Sequence, residues 1–429
     1  MNRSLPPAPL TPRPERRRFL LLQGRVGPFL QRIGTALREN GYGVWKINFN
    51  GGDCLFWRLP NAMSFTGTDD EWPLFLREKI ESLGITDIML FGDCRPRHRQ
   101  AIALCKKLGT RIYVFEEGYI RPDWVTLEMD GVNGHSTLPH NSAWYVEQAR
   151  LLPPLAPHQT VSSSFPRRAL EAVAYNAADI LTRRHFPYWQ DYRPWGAWYE
   201  GVSWLRRLAR KKTARAESQK VLDWFATGKL PYVLFPLQLD ADSQIHLHSN
   251  FNGMTPAISM VMQSFALHAP ADLYLLVKEH PLDNGVKDWK AMITRIATHL
   301  GIAQRVRYVE YGEISHMVRD ARGVVTVNST TGTLALAQNV PVKVLGRAVY
   351  NIDHVTDQQP LDDFWANPTP PDPDTLHAFM KVLIDRCLIE GGFFSEEGLS
   401  TLVAGTLRRV SSVRSEPDNV VFLPSHLDN

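Results

Sequence analysis

What most constrains the fold of this chain is one pattern that occurs twice. Short β-branched and aromatic runs alternate with helix-length stretches over residues 18–125, and again over 231–345. Parallel strands cannot be joined by a tight turn, so such alternation implies crossover helices and a parallel sheet. The first series of runs is Arg18–Leu22, Val44–Phe49, Asp87–Phe91 and Ile112–Phe115. The second is Tyr232–Phe235, Leu273–Val277, Val306–Val309, Gly323–Val327 and Val342–Leu345. Between runs, Phe29, Ile33 and Leu37 recur at helical spacing behind Pro28, and Asn40-Gly41 closes that helix. At 429 residues the chain can bury more than one core.

The expected class is α/β with two Rossmann-like domains, over 19–160 and 225–346. Residues 1–18 read as a basic, Pro-rich tail. Residues 161–224 read as a helical connection rich in aromatic and basic side chains. After the Pro-rich 367–373, Leu376, Phe379, Met380, Leu383, Ile384 and Cys387 form one apolar stripe. Residues 347–429 are therefore a crossover region and tail, whose helix is expected to pack back on the first domain. Glu128–Pro139 is polar and Gly-containing, and reads as a loop or hairpin.

Charge and cysteine content narrow the function. A net charge of +4 does not suggest general nucleic-acid binding. Cys54, Cys94, Cys105 and Cys387 form no metal-like spacing, which fits a reducing cytoplasm. No secretory signal is visible, and no apolar run approaches the roughly 18 residues of a membrane span. The basic residues Arg206, Arg207, Arg210, Lys211 and Lys212 follow the aromatics of Tyr188–Trp204. A solvated face explains such a cluster; so does contact with anionic lipid headgroups.

Three strand ends carry chemistry. Ile112–Phe115 stops at Glu116-Glu117-Gly118, and neighbouring carboxylates can hold one proton near neutral pH. Leu273–Val277 stops at Lys278-Glu279-His280-Pro281. Gly323–Val327 stops at Asn328-Ser329-Thr330-Thr331-Gly332, where hydroxyls meet a helix start and can receive an anion. Each has a plain alternative, a surface turn or an ordinary helix cap. A metal set built on His246, His248 and His280 lacks a carboxylate at standard spacing.

Glu116-Glu117-Gly118, His280-Pro281 and Ser329-Thr330 resemble the motifs of bacterial sialyltransferases, which are GT-B enzymes using CMP-activated keto sugars. Over nearly the whole chain, LLLQGRVGPF, FGDCRPRH, VFEEGYIRPDW, PLQLDADSQI, LVKEHP, NSTTG and the stretch Gly346–Trp365 resemble the capsule polysaccharide β-Kdo transferase family. The likeness is to its single-module, KpsS-type members rather than the two-module chain-extending type. It does not reach residues 1–18 or the middle segment.

That resemblance implies a GT-B fold with a C-terminal helix crossing back. It implies transfer of β-Kdo from CMP-Kdo to a phosphatidylglycerol-type lipid, with retention, starting the linker of a capsular polysaccharide. On this reading Glu116 or Glu117 acts at the sugar or acceptor as nucleophile or base. Gln238, Lys278, His280, Pro281, Ser329, Thr330 and Thr331 bind the donor. Gln23, Gly24, Asp93 and Arg95 serve acceptor and sugar, and the Kdo carboxylate falls to Arg95, Arg97 or Lys278. No cofactor or metal is expected, because CMP has a single phosphate. The expected location is the cytoplasmic face of the inner membrane, beside a capsule biosynthesis and export complex that includes the chain-extending Kdo transferase. The rivals are a nucleotide-sugar epimerase of the same architecture and a non-catalytic export or assembly component.

Overall fold

The computed structural model describes residues 17–157, 160–190 and 197–412. The first domain is built on strands β1 (Arg18–Leu21), β2 (Gly43–Asn48), β3 (Ala62–Ser64), β4 (Asp87–Phe91), β5 (Arg111–Glu117) and β6 (Trp124–Met129). The second is built on β7 (Tyr232–Pro236), β8 (Tyr274–Lys278), β9 (Val306–Val309), β10 (Gly323–Thr326) and β11 (Val342–Val344). Strand β12 (Leu388–Glu390) returns to the first sheet.

The first sheet has the order β12-β6-β5-β4-β1-β2-β3. Its β1 to β5 pairs are parallel, while β6 pairs antiparallel with β5 and β12 antiparallel with β6. The second sheet, β11-β10-β7-β8-β9, is parallel throughout. Strands β4 and β7 are buried along their whole length, because helices cover both faces. Strand order reverses beside β1 in one sheet and beside β7 in the other, and ligand crevices form at such points.

Two features depart from the expectations. Within Glu128–Pro139, read as a loop or hairpin, Glu128 and Met129 are the end of strand β6, which forms an antiparallel hairpin with β5; Val125 and Leu127 turn into the core while Glu128 is held by Tyr119. The chain also has a further helix, Glu396–Ser412, beyond Pro373–Cys387. Phe393, Leu399, Leu402 and Val410 pack it into the first domain's core with Phe29 and Ile33. Arg17 donates to Val410 O at 2.6 Å, and Arg32 pairs with Glu396 at 2.9 Å. Helix Pro373–Cys387 packs on Ser142–Leu151 of the first domain, with Phe379 edge-on to Tyr145 at 5.3 Å and Lys381 donating to Ala149 O at 2.7 Å. Its Phe379, Val382 and Leu383 also join a cluster shared with the second domain. Two α/β domains facing a shared cleft, with the chain end crossing back, are the GT-B architecture. Among the described residues no helix is long and apolar enough to cross a membrane.

Candidate active site

The carboxyl ends of both sheets meet at one cleft of about 550 Å³. Its first-domain wall holds Arg25, Glu116 and Glu117; its second-domain wall holds Gln238, His280, Ser329 and Thr330. The cleft thus unites the paired glutamates, the His-Pro turn and the hydroxyl run, which lie far apart in sequence.

The two glutamates differ. Strand β5 ends where Gly118 turns toward β6, and a Cβ on Gly118 would collide with Trp124 O, so the turn demands glycine. Glu117 pairs with Arg25 at 3.1 Å and lies 3.6 Å from Arg121. Glu116 accepts from the Glu117 backbone N–H at 2.9 Å. Desolvation by the surrounding protein raises its carboxyl to about 7, and the charge of Glu117 adds to that rise.

His280 sits just beyond the end of β8. Its Nδ1 accepts from the Leu282 N–H at 3.1 Å, so the neutral ring carries its proton on Nε2. Desolvation lowers its pKa to about 4, aided by nearby Lys278, so it offers an uncharged donor at neutral pH. Ser329 Oγ and Thr331 Oγ1 are 3.1 Å apart, and Ser329 Oγ accepts from the Thr331 N–H at 3.1 Å. Tyr350 O–H braces this turn by donating to Ser329 O at 2.5 Å. Gln238 accepts from Asn328 N–H at 2.8 Å, tying the β7 and β10 ends together.

Several expected residues do not line the cleft. Lys278 is buried, and its Nζ donates to the carbonyls of Glu279 at 2.6 Å and Glu310 at 3.0 Å; burial lowers its pKa to about 8. It holds the loop rather than a ligand. Pro281 and Thr331 shape their turns without facing the cavity. Gln23 donates to Tyr175 O–H at 2.9 Å, and Gly24 packs on Leu30. Arg95 lies over Phe91 and reaches Gly24 O at 3.4 Å. Arg97 is buried, pairs with Asp69 at 2.7 Å and lies over Phe65, so it is unavailable to a sugar carboxylate.

Asp93 belongs to a separate cluster with Cys94, His135 and His248, whose ligand atoms lie within 4.8 Å of one another. It accepts from Val132 N–H at 3.0 Å and lies 3.0 Å from His135 Nδ1, while Cys94 Sγ is 3.1 Å from His248 Nε2. These bonds join the β4 end to the second domain. Among the described residues this is the one grouping with metal-ligand chemistry.

The cleft also contains groups that the sequence did not single out. Arg25, Arg121 and Arg168 bring cations to it, and Asp242 brings a third carboxylate, raised by burial. Arg25 Nε is buried without a hydrogen-bond partner among the described residues. Arg25, Arg121 and Asp242 stand inside the family motifs, at strand-end turns, so their position was the available signal. Arg168 had none, because it reaches the cleft from the connecting helix Phe165–Thr182.

The basic cluster does not form one face. Arg207 is buried, pairs with Glu279 at 3.0 Å and donates to the carbonyl of Asp283. Arg210 pairs with Glu310 at 2.7 Å. Arg206, Lys211 and Lys212 are exposed. Trp195 and the side chains of Trp198, Tyr199 and Trp204 lie outside the described residues.

Comparison with known proteins assigns the family. Residues 86–394 match the family model described as capsule polysaccharide biosynthesis protein. The capsule polysaccharide export protein KpsS of Escherichia coli is 34% identical over 381 residues, 88% of this chain and 97% of that protein. The capsule polysaccharide modification protein LipB of Neisseria meningitidis is 36% identical over 387 residues, 88% of this chain and 92% of that one. Among solved structures, the Thermosulfurimonas dismutans KpsC beta Kdo 2,7 transferase aligns with 90% of this chain and 98% of its own, at 13% identity and a TM-score of 0.42. The chain is a member of the capsule polysaccharide biosynthesis protein family.

Proposed function

We propose that this protein is a retaining glycosyltransferase that moves β-Kdo from CMP-Kdo to a phosphatidylglycerol-type lipid, beginning the linker of a capsular polysaccharide. The observation that carries this reading is the shared cleft: Glu116 on one wall, His280 and Ser329 on the other. Departure of CMP leaves positive charge on the sugar and negative charge on phosphate. The first needs a carboxylate at the anomeric carbon; the second needs fixed donors. Glu116 supplies the carboxylate, as nucleophile. The Nε2–H of neutral His280 and the hydroxyls of Ser329 and Thr330 supply donors to the phosphate.

The donor sugar carries a carboxylate of its own. Arg25, Arg121 and Arg168 are the cations placed to receive it, since a guanidinium pairs with a carboxylate through two parallel hydrogen bonds. Glu117, paired with Arg25 and near Arg121, keeps those side chains oriented until the sugar enters. Donor binding by this route needs no metal. The protein works at the cytoplasmic face of the inner membrane, alongside the capsule assembly machinery.

The test is product analysis. Protein incubated with CMP-Kdo and short-chain phosphatidylglycerol should raise the lipid mass by one Kdo residue, with a β-linkage by NMR. A lipid of unchanged mass, with intact protein and fresh donor, refutes the proposal.

A further inference from the structure

The helix Phe165–Thr182 has an uncovered apolar face. Leu170, Val173, Ile180 and Leu181 are 70%, 67%, 67% and 82% exposed. At about 100° per residue these four fall within an arc of about 100°. The opposite face is anchored: Tyr175 O–H donates to Asp53 at 3.1 Å and receives from Asn50 and Gln23 at 2.9 Å each. The helix is therefore fixed to the first domain with its large apolar side chains pointing outward. Isolated exposed leucines are ordinary, but four on one arc mark a surface meant to be covered.

We propose that this face docks on an anionic lipid bilayer. The neighbouring charge favours a bilayer. Arg183, Arg184 and His185 follow the helix directly and are exposed, and Tyr188, 55% exposed, comes next. An apolar stripe beside cations and a tyrosine is the composition of an interfacial helix. Position favours it too, since Arg168 on the same helix lines the catalytic cleft. By the same count Arg168 lies on the anchored face with Tyr175, so the helix that meets the bilayer on one side helps wall the cleft on the other. The proposal rests on the lipid-acceptor reading for its purpose, and it moves the membrane contact away from the Arg206–Lys212 cluster, where Arg207 and Arg210 are occupied by Glu279 and Glu310.

The experiment measures co-sedimentation with vesicles without CMP-Kdo, so binding is read apart from turnover. Wild-type protein should bind phosphatidylglycerol vesicles at low salt, bind neutral phosphatidylcholine vesicles weakly, and lose affinity as salt rises. The combined variant Leu170→Gln, Val173→Gln, Ile180→Gln and Leu181→Gln should raise the half-saturating lipid concentration by on the order of a hundredfold. Ile180→Trp alone should be quenched by brominated acyl chains, which keeps the test open if the combined variant folds poorly. Wild-type binding by the combined variant, or no quenching of the tryptophan, overturns the proposal. So does a wild-type dimer in light scattering that the variant converts to monomer. Lost vesicle binding in the variant, with no transfer by wild type, sinks the acceptor reading and leaves the docking face standing.

Discussion

Arg25 pairs with Glu117 at 3.1 Å, joining the turn after β1 to the end of β5 and separating the roles of two adjacent glutamates. Glu117 is committed to arginine, while Glu116 beside it is desolvated and held to about 7. Glu116→Gln should cut turnover by at least ~10³ while CMP-Kdo still binds, because it removes the group at the reacting carbon. Glu117→Gln should instead raise KM for donor, as loosened arginines lose the sugar carboxylate. Steady-state kinetics with calorimetric donor binding separates the two; equal loss in both variants contradicts the division.

The pH profile follows from the same group. Glu116 must be ionised to act as nucleophile or base, so kcat/KM should rise with pH through about 7 and level above it. His280, at about 4, does not titrate in that range. The stability effect has the opposite sign. A carboxyl raised above its unfolded value favours the folded state most below about pH 4.5, and that contribution is lost as pH rises through about 7. A rate that falls across pH 6–8 would make Glu116 a proton donor instead.

His280→Ala and Ser329→Ala should each slow CMP departure by ~10²–10³ with the fold intact, the usual effect of removing a transition-state hydrogen-bond donor. His280→Gln, which keeps a neutral donor, should recover part of the loss. Single-turnover measurements of CMP release report this directly; full activity in both alanine variants removes these residues from the mechanism.

Arg207→Gln should behave as a core mutation. It leaves Glu279 buried without its ion-pair partner, a loss of roughly 3–5 kcal/mol for a pair of this kind. A lower urea midpoint with unchanged vesicle binding is expected. The reverse result would return the Arg206–Lys212 cluster to the membrane.

The strands were legible because parallel strands buried on both faces read as continuous apolar runs, as in Val233–Phe235 and Ile88–Leu90. The strand ends were legible because Gly118 and Pro281 interrupt those runs beside polar residues. What sequence did not show was direction. Lys278 closes strand β8 and looks available, yet it folds back onto two carbonyls. Arg207 sits in a run of basic residues that resembles a solvated face, yet its place on the helix carries it into the second domain. Arg168 could not be placed from its neighbours, since tertiary packing, such as that of Tyr175 against Asn50 and Asp53, brings its helix to the cleft. The end of strand β6 was hidden because Glu128 and Asp130-Gly131 look polar, while Glu128 is buried against Tyr119.

The central claim is transfer to a lipid, and acceptor-dependent release of CMP tests it most directly. Purified protein with CMP-Kdo and no acceptor should release CMP slowly. Adding phosphatidylglycerol should accelerate release many-fold, with one Kdo-lipid formed per CMP, and the rate should be unchanged by EDTA. Release at the same rate with and without lipid, or none in either case from active donor, would contradict the account.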